Sequence, residues 1–164
     1  MIRLQTIVIA TDFEDAAGVA LQYGRALAER FDATLHVFHA VENVMARFAA
    51  DVGVAVLPDV QSEVEQAARA RLDALAAGIG LPPGRVKTAL YTSSTPADAI
   101  VEYAREQQAD LIVMGTHGRR ALSHFLLGSV AERVVRTAHC PVLTLRHPEQ
   151  EFLLPDAVPA AAGA

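Results

Sequence analysis

The chain has 164 residues, 52% hydrophobic and 20% charged, which suits one globular domain with a real core and argues against a second. A net charge of −5, a pI near 5.6 and a single lysine, Lys87, leave no basic footprint for nucleic acid or an anionic membrane. The lone Cys140 excludes an internal disulfide or a multi-cysteine metal site, no apolar run is long enough to span a bilayer, and no signal-peptide pattern follows Met1, so a soluble, unprocessed, cytoplasmic protein is expected.

Along the chain, short Ile/Val-rich runs alternate with helical periodicity. Leu4 to Ala10 reads as a strand buried on both faces of a parallel sheet. From Ala16 to Phe31, residues Ala17, Ala20, Leu21, Gly24, Leu27, Ala28 and Phe31 form an apolar helical stripe. Ala33 to Ala40 is the second strand, and Gln61 to Ala77 a helix with Val64, Ala68, Leu72 and Leu75 inward. Val86 to Tyr91 is the third strand. Thr95 and Asp98 flank Pro96 as a capping pair and open a helix to about Gln108, with Ile100, Val101 and Ala104 inward. Asp110 to Met114 is the fourth strand, Val130 to Ala138 a helix, and Pro141 to Leu145 the fifth strand.

This alternation predicts a three-layer α/β/α domain on a five-stranded, mainly parallel sheet. Residues 1–146 form that domain, and 147–164 an Ala/Pro-rich tail expected to be mobile. Glu42 to Val60 is a long connection, too apolar for a simple solvated loop, and reads as a flap or an irregular cover of the core.

The richest stretch is Gly115-Thr-His-Gly118, nine residues, then Gly128-Ser129, lying between a strand and a helix start. Glycines let backbone approach a ligand, and the first N–H groups of a helix favour an anion. Ligands of open α/β sheets bind beyond the carboxyl ends of strands, where successive connections leave to opposite faces. If the first and fourth strands are neighbours, as in the order 3-2-1-4-5, Thr11-Asp12 and the glycine turn line one crevice. An acid there accepts hydrogen bonds from a ribose hydroxyl or a base amine, and the amides around Gly118, Gly128 and Ser129 face phosphates.

Other nucleotide modes fail on their residues. There is no Gly-x-x-x-x-Gly-Lys-[Ser/Thr] and no Gly-x-Gly-x-x-Gly after the first strand. The acidic, glycine-free Thr11-Asp12-Phe13-Glu14-Asp15 would repel a flavin phosphate.

Ile7-Val-Ile-Ala-Thr-Asp12, Leu35-His-Val-Phe-His39, and Met114-Gly-Thr-His-Gly118 through Leu127-Gly-Ser-Val130 to Cys140-Pro-Val-Leu143 together resemble the universal stress protein family over about Met1 to Arg146. The pattern Gly-x-x-Gly-x(9)-Gly-[Ser/Thr], present in full, is similar to that of its ATP-binding members. The resemblance implies an adenine nucleotide alpha hydrolase-like sheet of order 3-2-1-4-5 and a homodimer through the fifth strand. It implies ATP, with ADP or AMP as alternatives and Mg2+ reached through the phosphates. It also implies Asp12 and Ala40 around the adenosine, Met114 and Gly115 close to the ribose, and Gly118, Gly128, Ser129 and Val130 along the phosphates. The family's Pro-x-Asp-x-Ser reads here as Ala10-Thr-Asp12-Phe-Glu14, and a carboxylate at position 14 would weaken polyphosphate binding if it faced the pocket.

Each residue has a plainer reading. Ser129 with Glu132 fits a capping box, Gly115 and Gly118 could be turn residues, and Asp12 could cap the first helix. His117 and Arg119 lie within reach of a terminal phosphate but read first as solvated loop residues. His36 and His39, taken as sharing one face of their strand, lack an accompanying acid or cysteine cluster and make no metal site. Cys140 reads as a buried small residue at the start of the fifth strand.

Three functions remain: a nucleotide-dependent regulatory module with a stress-response role, a slow nucleotide hydrolase, and a nucleotide-independent interaction module. The first is favoured. No lysine or arginine pair is committed to a departing phosphate, so no catalytic residue is assigned and any hydrolysis should be slow. Pro141-Val-Leu-Thr-Leu-Arg146 reads as an apolar sheet edge that a second copy would cover.

Overall fold

The computed structural model describes residues 1–46, 58–116 and 127–146. His117, Gly118, Arg119, most of the 42–60 connection and the 147–164 tail therefore lie outside the described residues. The elements, in order, are β1 (Thr6–Ala10), α1 (Asp15–Phe31), β2 (Thr34–Glu42), α2 (Pro58–Ala77), β3 (Val86–Ser93), α3 (Pro96–Glu106), β4 (Leu111–Gly115), α4 (Ser129–Thr137) and β5 (Val142–Leu145).

All four strand pairings are parallel and the order is β3-β2-β1-β4-β5. Side chains alternate between the two faces of each strand, so odd and even positions build two separate cores. Ile7, Ile9, Leu35, Val37 and Val113 pack under Ala20, Tyr23 and Ala28 of α1 and Leu72 of α2. Val8, Ala10, Phe38, Ile112 and Met114 pack under α3 and under Ala131 and Val134 of α4. Ile7, Val8, Ile9, Leu35, Val37, Ile112 and Val113 are wholly buried, which explains why their strands are apolar on both faces.

Close packing selects small residues. A Cβ at Gly24 would come within 2.7 Å of Ile9 Cγ1, so a glycine lets α1 lie directly on β1. Two inward assignments are corrected. Val64 of α2 is 38% exposed, and the α1 stripe keeps Ala17, Ala20, Gly24 and Ala28 but is rotated toward Ala16 and Tyr23, leaving Leu21, Leu27 and Phe31 half-buried.

The connection after β1 leaves toward one face, through α1, and the connection after β4 leads to α4 on the other. Between these neighbouring strands lies the switch point at which open parallel sheets place ligands.

Candidate functional site

The β1 end is a tightly held turn. Thr11 continues the ladder, its N–H donating to the Phe38 carbonyl at 2.9 Å. Its hydroxyl oxygen accepts from the Phe13 N–H at 3.0 Å, and Asp12 Oδ1 accepts from the Glu14 N–H at 3.1 Å. Side-chain oxygens bonding backbone two residues on form the Asx- and Ser/Thr-type turns that short polar residues favour. Asp12 is half-buried, and one of its two oxygens is used in this turn. Its alternative role is excluded: the residue preceding α1 is Glu14, exposed and without a side-chain cap bond.

Phe13 has φ +66°, an unusual conformation for a bulky residue and one that costs on the order of 1–3 kcal/mol unless its surroundings compensate. Its ring lies 4.4 Å from that of His39, and the Arg71 guanidinium of α2 sits over it at 4.4 Å. His39 Nδ1 in turn lies 2.7 Å from the Thr11 carbonyl oxygen, so that nitrogen carries the proton and donates. Periodicity and glycine spacing gave no hint of this cluster, which is brought together from three elements; its one local signal is an aromatic residue directly after Asp12.

At the β4 end, Thr116 is buried; its N–H donates to the Leu145 carbonyl at 2.7 Å and its carbonyl accepts from the Gly128 N–H at 2.8 Å. That second bond ties the start of α4 to the end of β4. It also commits the Gly128 amide, which was expected to face phosphate. The first intrahelical bond of α4 runs from the Glu132 N–H to the Gly128 carbonyl at 2.9 Å. The amides of Ser129, Val130 and Ala131 therefore have no helical acceptor and form the positive end of the helix dipole.

Gly128 occupies the N-cap position with φ −60° and ψ 148°, a conformation open to any residue, so the backbone torsion does not demand glycine there. Ser129 is the first helical residue and exposed, not the cap. The Ser129–Glu132 capping box is thus absent, and the Glu132 carboxylate pairs with Arg136 at 3.4 Å instead. The Thr95–Asp98 pair fails likewise: Thr95 is the N-cap of α3 but makes no side-chain cap bond, and Asp98 is gripped by Arg133 of α4 through two 2.8 Å bonds.

Gly115 needs its missing side chain for packing. A Cβ there would lie 2.9 Å from Ala16 Cβ and 3.2 Å from the Ala16 carbonyl oxygen, against the first turn of α1. Met114 is buried, and Ala40, Leu127 and Val130 pack against the same core face. The described expected residues thus gather at one end of the sheet: Asp12 on the β1 turn, Ala40 on β2, Met114 and Gly115 on β4, and Gly128, Ser129 and Val130 at the start of α4.

The two histidines of β2 do not share a face, because a three-residue offset reverses the side. His36 is buried on the α3 side, with Nδ1 2.9 Å from the Tyr103 hydroxyl, while His39 faces the β1 turn. Among the described residues no group of three or more His, Cys, Asp or Glu is placed to hold a metal ion. Cys140 is half-buried just before β5, and desolvation, helped by the Asp110 charge, pushes its thiol up, away from reactivity. No described helix is long and apolar enough to cross a membrane.

Comparison with known proteins agrees with this architecture. A universal stress protein of Methanocaldococcus jannaschii, MJ0531, is 36% identical over 146 residues, covering 88% of this chain and 84% of that protein. A universal stress protein of Thermus aquaticus is 37% identical over 142 residues, covering 87% and 98%. Among solved structures, MJ0577 of M. jannaschii superposes with a TM-score of 0.74 at 22% identity, covering 91% of this chain and all of that one. A universal stress protein in complex with cAMP gives 0.57 at 26% identity, covering 88% and 98%. One from Archaeoglobus fulgidus in complex with dAMP gives 0.61 at 23% identity, covering 88% and 99%. The universal stress protein family model matches residues 3–146, and the chain belongs to that family.

Proposed function

We propose that the chain binds an adenine nucleotide, ATP in the loaded state, and acts in the cytoplasm as a nucleotide-dependent regulatory module of stress response. Asp12 and Ala40 bound the adenosine, Met114 and Gly115 flank the ribose, and Gly118, the Gly128–Ser129 turn, Val130 and the amides of Ser129 and Val130 follow the phosphates. ADP and AMP fit the same nucleoside end, and a Mg2+ ion would enter through the phosphates.

The observation that carries this reading is the start of α4. It is anchored beside the β1–β4 switch point by the Gly128–Thr116 bond, its first three amides have no helical acceptor and, among the described residues, no N-cap side chain, and Ser129 is exposed beside them. The relatives solved with cAMP and dAMP support the adenine preference. The protein acts as a pair joined along β5, whose partly exposed Val142, Leu143 and Thr144 form one rim of the sheet.

The test is calorimetric titration of ATP, ADP and AMP into wild type, Gly118→Val and Ser129→Glu. An acid at the first helical position suits the helix dipole, so Ser129→Glu should fold normally while repelling phosphate. ATP affinity should fall about tenfold or more in both variants, and AMP affinity less. Undiminished ATP binding by both would remove the α4 terminus from the site, and a wild type that binds none of the three would end the reading.

A further inference from the structure

Asp12 is held from both sides by groups that belong to other elements. On one side, Thr11 is fixed to β2 by its bond to the Phe38 carbonyl and by the His39 imidazole on its own carbonyl. On the other, Phe13 is fixed by ring contact with His39 of β2 and by the Arg71 guanidinium of α2. The positive φ at Phe13 would be met without strain by glycine and with less strain by asparagine. A phenylalanine in that conformation is retained at the cost of strain, and such outliers gather where a side chain must be aimed.

We propose that Phe13 is a positioning residue of the nucleotide site: its contacts with His39 and Arg71 set the direction of the Asp12 carboxylate and make nucleoside affinity depend on the seating of α2. This rests on the nucleotide reading above and assigns Phe13 no contact with the ligand. Arg71 is exposed and its guanidinium lies on the ring, so its effect reaches the site through Phe13. Any displacement of α2 would therefore loosen the nucleoside end first and leave the phosphate end, on α4, as it was.

The experiment separates the two ends by titrating AMP and inorganic tripolyphosphate independently into wild type, Phe13→Gly, Asp12→Asn, the double variant, Phe13→Tyr and Arg71→Ala. Phe13→Gly keeps the torsion and loses the ring; it should lower AMP affinity about tenfold and leave tripolyphosphate affinity unchanged. Asp12→Asn should do the same, and the double variant should be no more than about twofold weaker than either single one, since both remove one interaction. Phe13→Tyr should retain wild-type affinity. Arg71→Ala, a surface change that spares the fold, should lose about threefold for AMP alone.

Wild-type AMP affinity in Phe13→Gly, full additivity with Asp12→Asn, or an equal loss of tripolyphosphate binding would each overturn the proposal while leaving nucleotide binding standing. Wild-type protein that binds neither probe would remove the nucleotide reading itself, and this one with it.

Discussion

A methyl group at position 115 has nowhere to go, because Ala16 Cβ would stand 2.9 Å away and the Ala16 carbonyl carbon 3.1 Å away. The neighbour is the backbone of the first turn of α1, which cannot swing aside as a long side chain does. Gly115→Ala should therefore destabilise the fold by about 1–3 kcal/mol, the usual range for overpacking. The urea midpoint would drop at constant slope, and an unchanged midpoint would show that α1 and β4 have slack between them. The glycines of one motif thus have different causes. Gly115 is required by helix-on-strand contact, whereas Gly128, at φ −60°, is not required by its torsion. Spacing made the motif visible in the sequence, but it could not divide the labour, since packing against Ala16 depends on a residue 99 positions earlier. The same limit applies to Ser129. A Ser-x-x-Glu string identifies a helix start correctly, yet the Gly128 bond to Thr116 moves the cap one residue back and leaves the hydroxyl outside it.

At the level of elements, the edge position of β5 carries the dimer expectation. It pairs with β4 on one side, and no described strand lies beyond it. Leu143→Lys should give monomers by light scattering, and an unchanged mass would reject that interface. Leu143 also packs in part against the α1-side core, so the thermal midpoint must be followed alongside, and a modest drop with loss of pairing is expected. The nine main elements among the described residues were legible because each carries its own period, and the parallel sense followed from crossover geometry, while the strand order 3-2-1-4-5 came with the family resemblance. Their ends were less legible. β2 and β3 run on to Glu42 and Ser93 because Val41 pairs with Thr92 and Glu42 with Ser93, so ladder bonds extend the strands past the last apolar run. α2 begins at Pro58, three residues before the expected Gln61, since proline suits the first turn of a helix. Tyr23 escaped the predicted stripe because its burial comes from the angle at which α1 crosses the sheet, which periodicity leaves open.

For the whole molecule, the two cores differ in polarity, and that difference sets a pH dependence. The α1-side core is built from apolar side chains, whereas the α3-side core also encloses His36, which is 2% exposed, among Phe38, Tyr91 and Tyr103. Desolvation first, and the Lys87 charge second, push its pKa from 6.5 down to about 4. Around it, the Tyr103 hydroxyl is itself pushed up, by burial first and the Glu106 charge second, so it stays protonated, and the Glu106 carboxylate is engaged by the Tyr91 hydroxyl at 2.7 Å. Between pH 6.5 and 4 the unfolded chain binds the proton and the folded chain does not, so stability from this residue is complete above 6.5 and is lost as pH falls toward 4. The 2.5-unit gap between the values corresponds to about 3 kcal/mol at most. His36→Gln keeps a partner for Tyr103 and has nothing to titrate. Its unfolding free energy should fall by about 2–3 kcal/mol less than that of wild type between pH 7.5 and 4.5, measured by urea unfolding at each pH. Identical losses in the two proteins would mean that His36 takes up its proton as readily folded as unfolded, and that the α3-side core admits water to the imidazole.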